Sequence, residues 1–572
     1  MQGSSNMESR VPRWILAAWP FVAIAAGLCG LTYFHQIDFG SGFQSMTGDH
    51  GDNRFIAYIF EHTLLSIHGK ASMVSPSMFW PVQGTFGYSD TLFGVAPIYW
   101  VLRMVGFNLL PATQWAIIAA NFLTYLVGIG FLRFGLRLGR LATIFGALLL
   151  AFNSAKFNQL NHLQLQPLYV VISLAWLAVD TFGKRWSLRP SAVFVRLAAF
   201  ALLFDLQLYT SIYVGWYFAF QSLLILLVGS LWPEARRAVW LWVRKFAKQL
   251  AGSVIVAAIG LIPFVKIYLP VLNEAGWRSY HEVLAMVPQW WSYIYMGHLN
   301  FIWGWLPDAF PQIWALPLHW EHRIGLGLTV TFAAIVLFVT SVIVLMGGIR
   351  KRPLSRIVSE VIGTDDTASI RVFATVMVAV GLFYVLATRF HGPDSPWWIV
   401  FHTIPGARSI RAVARFVLVT MIPLSAALAF VVDQQITRLM RVRSLIRGLL
   451  SAVALIGVIA FAFAEQLGKS TGFSVGGEWD RISAFSQQLG VDCDVFYITA
   501  DAKTPYPVWE LQLDAMLISS VRGVPTLNGY SGQSPKGWEL WEVRDPAYKA
   551  RVNQWIVSNK LAGKICSVHI DR

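Results

Sequence analysis

Near the amino end the sequence reads Gly48-Asp49-His50-Gly51-Asp52-Asn53-Arg54, which sets two carboxylates three residues apart between glycines that permit a turn. After it, Phe55, Ile56, Ile59, Phe60 and Leu64 recur at helical spacing. That stripe predicts a helix lying along a bilayer surface. Carboxylates at such a boundary could take a proton from an acceptor hydroxyl, or hold a divalent cation (Mg or Mn) beside a lipid phosphate. The plainer alternative is that Asp52 caps a helix starting near Asn53 while Asp49 is solvated.

Other polar groups stand out against an apolar background. Phe79-Trp80-Pro81 and Tyr88-Ser89-Asp90 combine rings with a carboxylate; the rings suit interface anchoring or sugar stacking, and Asp90 suits a cap for a helix at Thr91 or a substrate contact. Asn153–Gln166 (NSAKFNQLNHLQLQ) is rich in amides and holds His162 and Gln164. Those amides could satisfy one another at a helix break or line a sugar pocket. Asp205 and Gln207 precede the YTSIY turn that ends at Tyr213, and serve either a local hydrogen bond or chemistry. In Pro405–Phe416, Arg408, Arg411 and Arg415 are three and four residues apart, a spacing that predicts one shared helical face. Arginines there could grip a phosphate with bidentate hydrogen bonds or snorkel to ordinary headgroups. The sequence contains no Walker loop, GxSxG, HExxH, Rossmann fingerprint or metal-spaced Cys/His cluster, which disfavours an ATP-driven pump.

The elements that must position these groups are set by composition. The chain has 572 residues, 56% hydrophobic and only 13% charged, with 25 Trp, 39 Phe and 18 Tyr. That excludes a soluble enzyme and a disordered chain, and leaves an α-helical multi-pass membrane protein. Apolar runs near 13–34, 111–132, 141–153, 167–183, 192–211, 213–232, 249–269, 324–346, 371–388, 412–432 and 448–465 predict about eleven transmembrane helices. The run 92–107, interrupted by Pro97, Arg103 and Gly106, reads as an interfacial helix. With the N-terminus cytoplasmic, about 23 basic residues fall on cytoplasmic segments and about ten outside before the tail. The net charge of +15 is therefore largely an orientation signal, and no nucleic-acid partner is expected.

An odd number of spans puts the tail outside. The predicted organisation is a membrane domain, residues 1–465, with long outer loops at about 35–110 and 270–323, and an extracytoplasmic C-terminal domain, residues 466–572, of α/β or α+β type. Gly476-Gly477 marks its start. Within it Asp494–Thr499 and Ile565–Ile570 read as strands, Val508–Val521 and 546–562 as helices, and Leu527–Gly532 (LNGYSG) as a turn. Cys29 is a small buried hydrophobe. Cys493 and Cys566 either pair across adjacent strands or remain two buried thiols.

In this order the GDHGDNR loop, the FWP and YSD segments, NHLQLQ, YTSIY, PG…SIRAVAR and the NGYSG tail resemble bacterial GT-C-type membrane glycosyltransferases. The nearest likeness is to a branch with an extracytoplasmic C-terminal domain, and it covers most of the chain. Relatives that transfer aminoarabinose or mannose carry acidic residues in the loop after the first span, use polyprenyl-phosphate sugars and invert at the anomeric carbon. The resemblance implies Asp52 as general base, with Asp49 assisting or binding a cation. It implies a donor site drawn from Arg54, Asp90, His162, Gln164, Tyr213, Arg408, Arg411 and Arg415, with Arg411 and Arg415 on the lipid phosphate. The family's adjacent acidic pair is replaced here by Asp49 and Asp52, separated by two residues. The implied partners are a polyprenyl-phosphate-sugar donor and a glycan, lipid or protein acceptor, in a bacterial inner membrane with the tail periplasmic or extracellular. The competing readings are a transporter or flippase, and a non-catalytic assembly protein.

Overall fold

The structure, a computed structural model, describes residues 13–184, 186–347, 360–392 and 394–570. Among these, eight helices are long and apolar enough to cross a membrane, and the pair Ala247–Gly260 and Ile262–Ala275, bent by 54°, makes a ninth if counted as one span. Every apolar run of the sequence is a helix. Arg140–Ala151, however, has 12 residues, which at 1.5 Å each is about 18 Å and too short to cross alone. The run 92–107 becomes the helix Ala96–Met104. Its Tyr99 is buried while Val101 and Met104 are exposed, as an interfacial helix requires.

The bundle is organised around Phe416–Leu439, which packs against Arg140–Ala151, Ile212–Gly229 and Thr367–Leu386. Its first half is buried almost residue by residue. Leu445–Ala464 is the opposite case: only Ala462 is buried, leaving an apolar wall of the kind that faces lipid.

The tail docks on the segment that follows the first helix. Strand β1 (Ser45–Thr47) pairs antiparallel with β2 (Gly472–Ser474), and β3 (Val495–Ala500) pairs parallel with β4 (Ile565–Ile570). The helix Val508–Arg522 and the strands lie within about one residue of where the sequence puts them, and the helix Tyr548–Ser558 falls inside the predicted 546–562 but ends four residues sooner. Gly476 and Gly477 lie inside a further helix, Val475–Ser486. Cys493 and Cys566 form a disulfide with Cα atoms 6.1 Å apart, whereas Cys29, expected to be buried, is exposed on the outside of the first helix.

One expectation is overturned. The helix Asp52–Ile67 does not lie on a bilayer surface, because every residue from Asn53 to Leu64 is buried. Phe55, Ile59 and Phe60 join one core with Phe496, Leu511 and Met516 of the tail. The stripe was real, but it is covered by protein.

Candidate functional site

The helix begins at Asp52, with Gly51 before it, one residue earlier than the apolar pattern suggests. That shift exchanges the roles of the two carboxylates. Asp49 Oδ1 accepts the backbone N–H of Gly51 (2.6 Å) and of Asp52 (2.9 Å), so Asp49 is the capping group. Asp52, in the first turn, is left free to turn outward.

What it meets is His162, whose Nδ1 lies 2.7 Å from Asp52 Oδ2. The other ring nitrogen of His162 lies 3.2 Å from Glu321 Oε1. Glu321 accepts a fork from Arg415, Nε to Oε2 at 3.0 Å and Nη2 to Oε1 at 2.7 Å. The Arg415 guanidinium sits over the Tyr213 ring, 5.3 Å from its centroid, and the Tyr213 hydroxyl accepts the backbone N–H of Arg411 at 3.2 Å. From the tail, the Tyr530 hydroxyl donates to Asp52 Oδ1 at 3.4 Å. Five charged or polar side chains from five distant segments thus form one line, Tyr530–Asp52–His162–Glu321–Arg415. The Asp52 and His162 side chains keep 26% and 21% of their surface exposed, against 5% and 7% for Glu321 and Arg415. The Asp52–His162 end is wet and the Glu321–Arg415 end is dry.

An imidazole between two carboxylates must donate from both nitrogens, which is the protonated form. Burial and the nearby Arg415 push the His162 pKa down, yet its hydrogen bonds to Asp52 and Glu321 outweigh them and hold it above the ordinary value. Burial pushes Glu321 up, but Arg415 and His162 together bring it well below the carboxylate range.

The remaining sequence candidates separate cleanly. Asp90 Oδ1 accepts the N–H of Ile212 at 2.9 Å, and so caps the helix Ile212–Gly229 from a distant segment rather than a helix at Thr91. Burial pushes its pKa up to about 6, against the pull of that N–H and of Arg415. Gln164 lies in the short turn Leu163–Leu165 beside His162. Much of the amide stretch satisfies itself: Asn153 accepts from Lys156 N, and Gln166 donates to Gln159 O. Arg54 is not at the site. It is fully buried, paired with Asp514 and, at 3.1 Å, with Glu478. Asp205 faces Gly260, at the break of the bent pair.

The three arginines do not share a helical face. Gly406 takes φ +79°, and two short 3-10 turns, Ala407–Ser409 and Val413–Arg415, precede the helix Phe416–Leu439. Arg408 is exposed beside Phe401, Arg411 is half-exposed 3.7 Å from Glu282, and only Arg415 points inward. Arg415 commits two N–H groups to Glu321.

A divalent cation fits neither acidic group. It needs several oxygen donors free at once, whereas Asp49 is engaged by backbone N–H groups and Asp52 by His162 and Tyr530. His50, Glu478 and Glu510 also bring ligand atoms within 4.8 Å of one another. Arg54 and Arg481, however, already neutralise those carboxylates, with Arg481 2.8 Å from Glu510.

Two members of the line, Glu321 and Tyr530, are absent from the sequence-derived candidates. Glu321 had a signal: Asp308 is the only carboxylate and there is no Lys or Arg across 289–320, and Glu321-His322-Arg323 ends that stretch just before a span. Tyr530 had only its place in a turn.

No family model matches the chain, and no curated protein matches it. Among solved structures, the crystal structure of ArnT from Cupriavidus metallidurans bound to undecaprenyl phosphate is similar over 90% of this chain and 90% of its own, at 14% identity and a TM-score of 0.36.

Proposed function

We propose that this is a GT-C-type membrane glycosyltransferase that moves a sugar from a polyprenyl-phosphate donor to an acceptor on the outer side of a bacterial inner membrane. The observation that carries the reading is the line from Asp52 to Arg415. It presents one partly exposed carboxylate, its orientation fixed by a protonated histidine and a buried ion pair. In the reaction Asp52 takes the proton of the acceptor hydroxyl as general base. The freed oxygen attacks the anomeric carbon, the bond from that carbon to the phosphate oxygen breaks, and polyprenyl phosphate leaves with the charge. A single displacement of this kind inverts the anomeric centre.

Arg411 and Arg408 are the groups left to meet the phosphate, where cations stabilise the charge that develops on it. Arg415 and Glu321 are positioning residues, because they act through His162. Tyr213 holds the backbone of Arg411, and Gln164 borders the sugar. The disulfide accords with an oxidising compartment for the tail.

Transport has one observation on its side. The bent pair Ala247–Gly260 and Ile262–Ala275 is a broken helix, a transporter hallmark. Asp205, against that break, has two carboxylate oxygens without a hydrogen-bond partner among the described residues. The deciding experiment places the purified protein in vesicles with defined pentosyl and hexosyl polyprenyl phosphates and a bacterial envelope extract as the source of acceptor hydroxyls. Release of free polyprenyl phosphate supports transfer; movement of intact donor between leaflets, with no bond cleaved, overturns it.

A further inference from the structure

Residues 289–320 make an outer lobe with an unusual surface. Across those 32 residues there are six tryptophans and a single charged side chain, Asp308. The lobe has a small core of its own, Tyr295, Leu306 and Ile313, with Trp291 and Trp303 packed on it. Its outside is not polar: Trp290, Phe301, Trp305 and Trp320 are 55%, 58%, 53% and 50% exposed. Exposed rings at that density, with almost no charge among them, are not compatible with a face left in water.

The height of the lobe is fixed by Glu465, the residue after the span Leu445–Ala464. Its Oε1 accepts the backbone N–H of Leu328, the first residue of the span Leu328–Leu345, at 2.6 Å, and its Oε2 accepts that of Thr329 at 2.9 Å. The same carboxylate accepts Trp303 Nε1 at 2.8 Å, and the Glu465 carbonyl accepts Asn300 Nδ2 at 2.8 Å. The lobe is therefore pinned to the outer ends of two spans. Both spans turn an apolar wall outward: Leu328, Phe332 and Ile335 are 61%, 65% and 55% exposed on one, Ile456 and Val458 are 65% and 55% exposed on the other. The aromatic surface continues that wall at its upper rim, the depth at which tryptophan is favoured in a bilayer.

We infer that residues 289–320 form a membrane foot, seated in the headgroup region of the leaflet on the tail side, with the bilayer interface as its partner. The foot ends at Trp320, the neighbour of Glu321, so the bilayer surface fixes the level from which Glu321 enters the site. This assignment rests on the lobe itself and holds whichever reaction the protein performs.

The test uses full-length protein in lipid nanodiscs, with Cys29→Ser removing the free thiol and the Cys493–Cys566 disulfide retained. Bimane is attached to a single cysteine at Trp305→Cys or, in a second protein, Phe301→Cys; Val557→Cys, 76% exposed in the tail, is the control. Fluorescence is then quenched either by a nitroxide on the upper acyl chain of the lipid or by aqueous iodide. The foot requires both lobe sites to be quenched severalfold more by the lipid nitroxide than by iodide, with the control reversed. Iodide quenching of the lobe sites equal to that of the control would overturn it. So would protection from both quenchers, which would mean that protein or glycan, not lipid, covers the patch.

Discussion

Asp52 and Arg54 leave the same first turn of one helix, two residues apart, and end in opposite settings. Asp52 stays partly exposed between His162 and Tyr530. Arg54 faces the tail, with no exposed surface, in a cluster with Glu478, Asp514 and Arg481. Successive positions on a helix are about 100° apart, so two residues suffice to swing a side chain from the solvent side to the protein side. The difference teaches that charge type near a helix start says little about role. What decides it is which neighbour covers that face, and here the neighbour is a domain more than 400 residues later in the chain.

The comparison breaks most visibly at Asp52. Asp52→Asn should lower sugar transfer by about 10²–10⁴-fold, the usual reach of a general base, while thermal unfolding and donor binding stay near wild type. Turnover at the wild-type rate would remove Asp52 from the mechanism. Arg54→Met should do the reverse at the structural end. It leaves Asp514, already pushed up by burial, with Arg481 alone. Losing one partner of a buried pair costs about 3–5 kcal/mol, and denaturant unfolding should report it as a loosened tail. If instead Arg54→Met keeps full stability and loses activity, Arg54 belongs with the donor site after all.

The same pair of residues measures how much the sequence could tell. The spans were legible because each is a continuous apolar run, and the tail's strands and helices because their periodicity and turns are local. Asp49 and Asp52 were legible as a motif, but their roles depended on a helix start that moved by one residue. The arginines of 408–415 looked helical by spacing alone, but the non-helical backbone at Ile410 and Ala412 broke that face into turns. Glu321 could not be paired with His162 from sequence, because 159 positions separate them and only the fold closes that gap.

A smaller effect sharpens the comparison through pH. His162 is held protonated by Asp52 and Glu321, with Arg415 opposing. Its folded pKa is raised, so its contribution to stability is present in full below about pH 6.5, the ordinary histidine value. It is lost as pH rises through the raised folded value. His162→Gln should flatten that limb of the Tm–pH curve by a few degrees, whereas Arg54→Met should lower the curve uniformly. An unchanged alkaline limb in His162→Gln would show that the imidazole is not charged in the folded state.

The smallest expected effect is at Asp49, and it separates the cap from the chemistry. Asp49 Oδ1 accepts two backbone N–H groups, work that an asparagine oxygen does about as well. Asp49→Asn should therefore leave both stability and transfer almost unchanged. Asp49→Ala removes the acceptor altogether and should cost about 1 kcal/mol, the usual value of a lost cap. Because Asp52 is the residue whose N–H is capped, that loss should also fray the turn from which its carboxylate projects. Transfer should then fall modestly in Asp49→Ala and recover in Asp49→Asn. A metal or proton-transfer role at Asp49 makes a different forecast: both substitutions would abolish transfer to the same degree, since asparagine supplies neither a charge nor a base. Measuring the two variants side by side, with Asp52→Asn as the reference for full loss, decides whether this loop holds one working carboxylate or two.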